Sequence, residues 1–361
     1  MCSAYRKWVL ISRPLHKECE RWAKVILEEV FDEELLDISD IRNYVAQVAP
    51  VSFNHTKFYY DTLIYQEAKK EKLSIDEYSV FVNNEQIYKP YKTDIYKNGK
   101  KEDEIFDIEY IKIVDKKKKV IAWGWYSITE MKGVIPPENI ARGFRLRKGN
   151  IQIGLESALE KLQYKETRFN YHYFGEIHTF HPDLIPNARR DYFVENEVCV
   201  YLNKELKEFF HNLHTLAHDA SKIRSANNKI LKVETLKEEY EKIKQTGFDN
   251  KEQVDEFEEK FEKSKKEAQK AQKDLERIKN KAKDDKRVDK IFSKIVEDEK
   301  VDKTIEIDID KPEKVVYRTD KLSKLKKNER RIIERVFKVM DNILAKELAE
   351  NVKQKIEEEF K

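Results

Sequence analysis

Glycine and proline are both scarce: the 361 residues contain eight of each. That shortage excludes a collagen-like chain, a loop-rich sandwich and a low-complexity tail. The glycines are Gly99, Gly124, Gly133, Gly143, Gly149, Gly154, Gly175 and Gly247, so none precedes Gly99. Neither G-x-G-x-x-G nor G-x-x-x-x-G-K-S/T occurs, so the chain lacks the glycine-rich cradle that such nucleotide enzymes use for phosphates. Cysteine is scarcer still. Cys2, Cys19 and Cys199 are too few and too scattered for a disulfide framework or a thiolate zinc site, which favours a reducing compartment. No run reaches the ~18 apolar residues of a membrane helix. The run Trp8 to Ile11 is too short for a signal-peptide core. The expectation is a soluble, cytoplasmic chain with no membrane partner.

Charge, by contrast, is abundant. There are 72 Lys+Arg and 69 Asp+Glu, a net charge of +3 with 39% charged residues. Near-cancellation excludes a dedicated polyanion binder of the histone type and leaves room for local patches. The length suits two or three units rather than one core.

Composition changes near residue 200. Only Gly247 and Pro312 lie beyond it, so helix breakers concentrate in the first half and Lys/Glu-rich helical sequence fills the second. Ala23 to Val30 reads as a strand and residues 38 to 75 as two helices separated by Pro50 to Phe53. From Tyr78 the period becomes two. YSVFVNNEQIY predicts a hairpin turning at Asn83-Asn84, and Ile105 to Val114 with Val120 to Ile128 predicts a second hairpin around DKKKK. Phe144 to Ile153 and His172 to Phe180 read as two further strands, with Leu155 to Gln163 at helical spacing between them. Residues 78 to 200 are therefore expected to be α+β.

From Asn203 onward the apolar steps are three and four. Thr246 to Asn250 breaks the run. There Gly247 suits the left-handed residue that ends a helix, and Asp249 with Glu252 suits a capping box that starts the next. The spacing predicts a long antiparallel coiled-coil hairpin. Its charge is segregated: residues 234–259 carry 10 acidic and 4 basic side chains, residues 260–290 carry 7 acidic and 13 basic. One reading is a solvated surface laced with i,i+4 pairs. The other is a basic arm for nucleic acid or an acidic partner, although no aromatic residue interleaves that block after Phe261. Beyond a connector holding Ile305 to Pro312, helical spacing returns through Phe360, as in an oligomerisation or docking element.

Few residues are framed for chemistry. His211, His214 and His218 lie three, four and seven apart on one predicted helix, but Leu213 and Leu216 share the face and no matching carboxylate or cysteine ligand lies nearby. No metal site is expected. No serine sits in a G-x-S-x-G elbow. Trp123, Trp125 and Tyr126 suit a sheet core. The informative stretch is Ala141 to Phe193. ARGFRLRKGNIQIG alternates Arg142, Arg145, Arg147 and Lys148 with Phe144 and Leu146, predicting a core face and a cationic face able to meet phosphate or nucleic acid. PDLIPNARRDYF then places Asn187, Arg189, Arg190 and Asp191 in a loop entering a helix. Asn187 either caps that helix, with the arginines in surface ion pairs, or belongs to a loop that projects a guanidinium toward a phosphate held by another domain.

These strings, with VAPVSF, NNEQIYKPY, GEIHTFHPDLIPNARRDYF and LSKLKKNERRIIERVF, resemble the bacterial ATP-binding proteins related to heat-shock protein 90. That resemblance covers about Ala23 to Phe193, with a fainter echo at Leu322 to Phe337. It implies a GHKL-type ATPase domain joined to a transducer domain of ribosomal-S5-like α+β topology and then a helical C-terminal region. It also implies a catalytic loop in which Asn187 is followed three residues later by the phosphate-reaching Arg190, with Arg189 assisting. The GHKL adenine site and glycine-rich lid are missing. The chain thus resembles a member lacking most of its ATPase, through truncation, processing or a shortened gene.

Four segments follow from this reading: a remnant of the ATPase domain (1–37), the transducer (38–200), the hairpin (201–300) and C-terminal helices (301–361). No cofactor is expected within this chain; ATP and Mg belong to the full-length family, and the chain is expected to be inactive as an ATPase alone. Dimerisation or partner capture falls to the helices, with the client unidentified. The competing reading is a stand-alone interaction or nucleic-acid-binding module built on the basic arm.

Overall fold

A computed structural model describes residues 9–11, 24–26, 37–163, 166–298, 315–322 and 325–360. The chain divides into two compact units, Met1–His214 and Thr215–Lys361.

The first unit is mixed α and β. β1 (Val9–Ile11) and β2 (Lys24–Ile26) pair antiparallel; the rest of the predicted strand Ala23 to Val30 lies outside the described residues. α1 (Ile38–Val48) starts where the Asp37 carboxylate accepts the Ser39 and Asp40 amide protons, an N-cap. α2 (Asp61–Lys70) follows the Pro50 to Phe53 break. β3 (Val80–Val82) and β4 (Glu85–Ile87) turn at Asn83 and Asn84, whose φ values of 50° and 64° suit the tight turn predicted there. β5 (Asp94–Lys97) and β6 (Lys100–Glu104) make a further hairpin at Asn98-Gly99.

The central sheet holds β7 (Asp107–Val114), β8 (Val120–Ile128), β9 (Gly143–Lys148), β10 (Ile151–Ile153) and β11 (Phe174–Thr179), in the order β10-β9-β11-β8-β7. Only β9 and β11 run parallel. The stretch read as a single strand from Phe144 to Ile153 is a hairpin, because Gly149 and Asn150 both take positive φ (56° and 59°). Leu155 to Gln163 forms turns and one short 3₁₀ segment in place of the expected helix.

β11 is buried along its whole length, and so is β9 except Lys148. Close approach of strands explains two glycines here: a Cβ on Gly124 would lie 2.2 Å from the Glu176 carbonyl oxygen, and one on Gly175 would lie 2.7 Å from the Phe144 ring. Trp123 and Trp125 are core residues, the latter 5.0 Å from the Tyr91 ring and 5.3 Å from Phe58. Each such ring contributes about 2–3 kcal/mol by leaving water.

α3 (Glu197–Thr246) runs 50 residues, and the boundary between units falls within it. Its N-cap is Asn196, whose side chain accepts the Cys199 amide proton at 2.9 Å. Asn187 is therefore not the cap. α4 (Lys251–Ala282) doubles back along α3: Tyr240 packs on Phe257 at 5.4 Å, while Asp219 pairs with Lys281. The turn between them uses Gly247 at φ 97°, as expected, but the capping pair sits one residue later than predicted. Asn250 accepts the Gln253 amide proton (2.8 Å) and Gln253 accepts that of Asp249 (2.7 Å). The freed Asp249 carboxylate is buried against Lys353. α5 (Lys286–Asp298), α6 (Lys327–Ile343) and α7 (Lys346–Glu359) complete the unit. The latter two pack at the α3–α4 turn, where Arg318 also meets Glu350 at 2.8 Å.

Asn227 is fully buried in α3, and among the described residues neither of its side-chain polar atoms has a partner. Replacing it by leucine, similar in volume, removes that desolvation cost. Asn227→Leu is expected to raise the free energy of unfolding by about 1–3 kcal/mol, read as a higher urea midpoint. A lower midpoint would mean that the amide is satisfied in solution.

Candidate arginine loop and the buried charges behind it

The loop from Pro182 to Phe193 leaves the end of β11, and its shape follows from its own backbone bonds. Pro186 and Phe193 form an isolated bridge, and the Asn187 N–H donates to the Tyr192 carbonyl at 2.9 Å. Inside that frame the Arg190 N–H donates to the Asn187 carbonyl at 2.9 Å, a β-turn over residues 187–190. Closing the loop then requires a left-handed residue, and Arg190 occupies that position at φ 55°. Glycine is the usual choice there; an L-residue with a long side chain costs about 1–2 kcal/mol.

Three braces fix the loop. The Asn187 amide donates to Asp191 at 2.6 Å and its oxygen accepts the Asp191 N–H at 3.3 Å. The Gly154 N–H donates to the Arg190 carbonyl at 2.7 Å, and a Cβ on Gly154 would meet the Asp191 carbonyl at 2.6 Å. Leu184, Tyr192 and Phe193 are buried beneath. Arg189 and Arg190 are both exposed, and neither is in an ion pair among the described residues. Among the described residues these guanidinium groups are therefore not spent on surface ion pairs. A strained, braced backbone holding an unpaired guanidinium is suited to meeting an anion from outside.

The four cations of the neighbouring hairpin are placed differently. Alternation predicted a cationic face on β9, but β9 lies inside the sheet and both its faces are covered. Arg142 stacks 4.5 Å over the Tyr171 ring and donates to the Ile135 carbonyl at 3.2 Å. Arg145 donates to the Ile140 carbonyl (2.7 Å) and to Gln47 (3.3 Å). Lys148 donates to the His181 carbonyl at 2.7 Å, which ties β9 to the start of the arginine loop, and burial lowers its pKa. Arg147 is 1% exposed and reaches Glu176 (2.6 Å), the Asn150 carbonyl (2.9 Å) and the Gln47 carbonyl (3.0 Å). These cations support the loop and the sheet from within.

Glu176 is the centre of that support. Fully buried on β11, it accepts from Arg147 on one oxygen and from Lys89 (2.6 Å) on the other, where His178 also lies at 3.1 Å. Lys89 donates as well to Asn150 at 2.9 Å. Burial alone would raise the Glu176 carboxyl, but Arg147, Lys89 and His178 outweigh it and hold it well below the ordinary range. Burial pulls Lys89 down to about 8 despite Glu176. His178 is likewise pushed down by burial, to about 4, so it is neutral at pH 7.

A pH dependence follows. Below 6.5 the unfolded imidazole takes a proton that the native one refuses until about 4, so the unfolded state binds more protons within that window. The contribution is complete above pH 6.5 and is lost as pH falls toward 4, amounting to about 3 kcal/mol. Urea melts at pH 7 and pH 4.5 should therefore differ by less in His178→Gln than in the wild type. An unchanged pH difference would contradict this.

Among the described residues, no three metal-ligating side chains converge. His214 packs against the Phe169 ring at 4.3 Å. No described helix is long and apolar enough to cross a membrane. Comparison with protein-family models, curated proteins and solved structures returns no match to this chain.

Proposed function

We propose that this chain is the transducer and helical part of a GHKL-type, heat-shock-protein-90-like switch protein. In this reading the first unit is a ribosomal-S5-like transducer, and α3 with α4 is a coiled-coil hairpin. Arg190, flanked by Arg189 and positioned by Asn187, completes an ATP site carried by a separate ATPase domain. The observation that carries the reading is the Arg190 position itself: left-handed at φ 55°, braced through Gly154, exposed, and in no ion pair among the described residues. A guanidinium has permanent charge and a planar fork that matches phosphate oxygens, so a fixed one stabilises negative charge developing on a transferring phosphoryl group. Mg and the adenine would be held by the ATPase domain, and this chain would not turn over ATP alone.

The C-terminal helices support a partner surface. On α6, Ile332, Val336, Val339 and Ile343 follow steps of four, three and four, and all four are exposed (62%, 39%, 53% and 73%). That is a seam suited to a second copy or to a client helix.

The test is ATP turnover by a GHKL-type ATPase domain with this chain added. Stimulation is expected from the wild type and not from Arg190→Ala. Equal stimulation by both would overturn the reading.

A further inference from the structure

The second unit carries a charge pattern that the phosphate-sensing reading leaves unused. The seam that α4 buries runs through Phe261, Ser264, Ala268, Ala271 and Ile278. Two positions along from that seam, roughly 200° around the helix, lie Lys263, Lys266, Lys270, Lys273 and Arg277, at steps of three and four. All five are exposed. Over 14 residues at 1.5 Å each this ladder spans about 21 Å of helix.

Four of the five ladder cations are in no ion pair among the described residues. Glu262, Glu267 and Asp274 stand four residues from Lys266, Lys263 and Lys270, where helix pairs ordinarily form. Yet Lys263, Lys266, Lys270 and Lys273 are in no ion pair among the described residues, and Asp274 instead reaches Arg277 at 3.6 Å. The flanking helix adds charge of the same sign. Asp219 pairs with Lys281, so α3 from 215 to 233 runs beside α4 from about 263 to 283. The two stretches together carry 13 basic and 4 acidic residues, and Lys222, Lys229 and Lys232 are exposed. The remainder of the hairpin, residues 234–262, carries 11 acidic and 5 basic residues. That acidic half is the one against which α6 and α7 pack, through Lys338, Lys346 and Lys353.

We infer that the basic half of the α3–α4 pair binds the phosphodiester backbone of double-stranded nucleic acid, without reading sequence. Duplex rather than single strand follows from composition: neither basic stretch contains Phe, Trp or Tyr, so there is no platform on which bases would stack. A duplex presents one phosphate charge per ~1.7 Å of axis, about a dozen along a ladder of this length. The ladder holds four lysines and one arginine, and evenly spaced lysines suit backbone contact rather than the bidentate base contacts of arginine, asparagine and glutamine.

The test is binding of the full chain to a fluorescent mixed-sequence 30-base-pair duplex, followed by anisotropy from 50 to 200 mM NaCl. Four to five phosphate contacts predict a log–log salt slope of about −4, an affinity loss of roughly 250-fold across that range. The variant K266Q/K270Q/K273Q should show a slope near −1, because each contact is worth about 0.9. The arginine counterpart K266R/K270R/K273R should keep the wild-type slope. So should K116Q/K117Q/K119Q, which removes the same net charge from the exposed turn between β7 and β8. The inference is overturned if the wild type does not bind at 50 mM NaCl, or if the turn variant loses as much as the ladder variant. Displacement of the duplex by poly-L-glutamate at equal charge concentration would likewise overturn it, since the partner would then be an acidic polypeptide.

Discussion

Glu176→Gln is expected to lower the free energy of unfolding by about 3–5 kcal/mol, the range found when one partner of a buried ion pair is removed. Glutamine keeps the shape of the side chain but not its charge. Lys89 and Arg147, 2% and 1% exposed, would remain buried with no carboxylate between them. One glutamine oxygen cannot replace two that accept from Arg147, Lys89 and His178, and the new NH₂ would face cations. The loss should be readable in urea through the fluorescence of Trp123 and Trp125, both buried in the same unit. Glu176→Leu combined with Lys89→Met should lose less than the two single changes added together, because the pair then leaves as a unit. A Glu176→Gln loss below about 1 kcal/mol would mean that water or rearrangement already satisfies these cations.

The second large effect concerns Arg190. Removing one preorganised charge donor from a phosphoryl-transfer site costs about 10²–10³ in turnover, and interfacial arginines reach 10³–10⁵. Arg190→Ala should therefore abolish nearly all stimulation of an added ATPase domain, while Arg189→Ala, one residue earlier in the same turn, should cost less. Arg190→Gly separates function from folding. At φ 55° glycine relieves the left-handed strain, so this variant should be at least as stable as the wild type and gain up to about 1 kcal/mol. Stimulation should be lost all the same. A variant that is destabilised by glycine would show that the guanidinium holds the loop together, and that the residue is structural.

Turn chemistry was the most legible part of this fold. Asn83-Asn84 and Gly247 declare positive φ by residue type, and the structure uses both so. Asn98-Gly99 and Gly149-Asn150 carry the same signal. The first is hidden because β6, Lys-Lys-Glu-Asp-Glu, has no apolar alternation to frame it as a strand. The second is hidden because apolar residues alternate on both sides of it, Phe144 with Leu146 before and Ile151 with Ile153 after, and only the odd step of five between them betrays the turn. The interior charges were illegible for a different reason. In β11, Glu176 and His178 alternate with Ile177 as surface residues do, and only partners 87 and 29 residues away make their burial tolerable. Arg145 and Arg147 misled in the same way, since alternation fixes which side a residue takes but not whether that side is covered. The arginine loop stood out by composition, whereas its strain did not, because arginine carries no sign of the left-handed position that its neighbours impose.

The claim that Arg190 faces a nucleotide phosphate can be examined by photo-crosslinking. An ATP analogue bearing a photoreactive group on its γ-phosphate would be bound to a GHKL-type ATPase domain, mixed with this chain, irradiated and mapped by peptide mass spectrometry. The account predicts label within residues 187–191, lost on competition with unmodified ATP and retained at reduced yield in Arg190→Gly. Label confined to the lysine ladder of α4, or spread over the surface with no preference for residues 187–191, would contradict it.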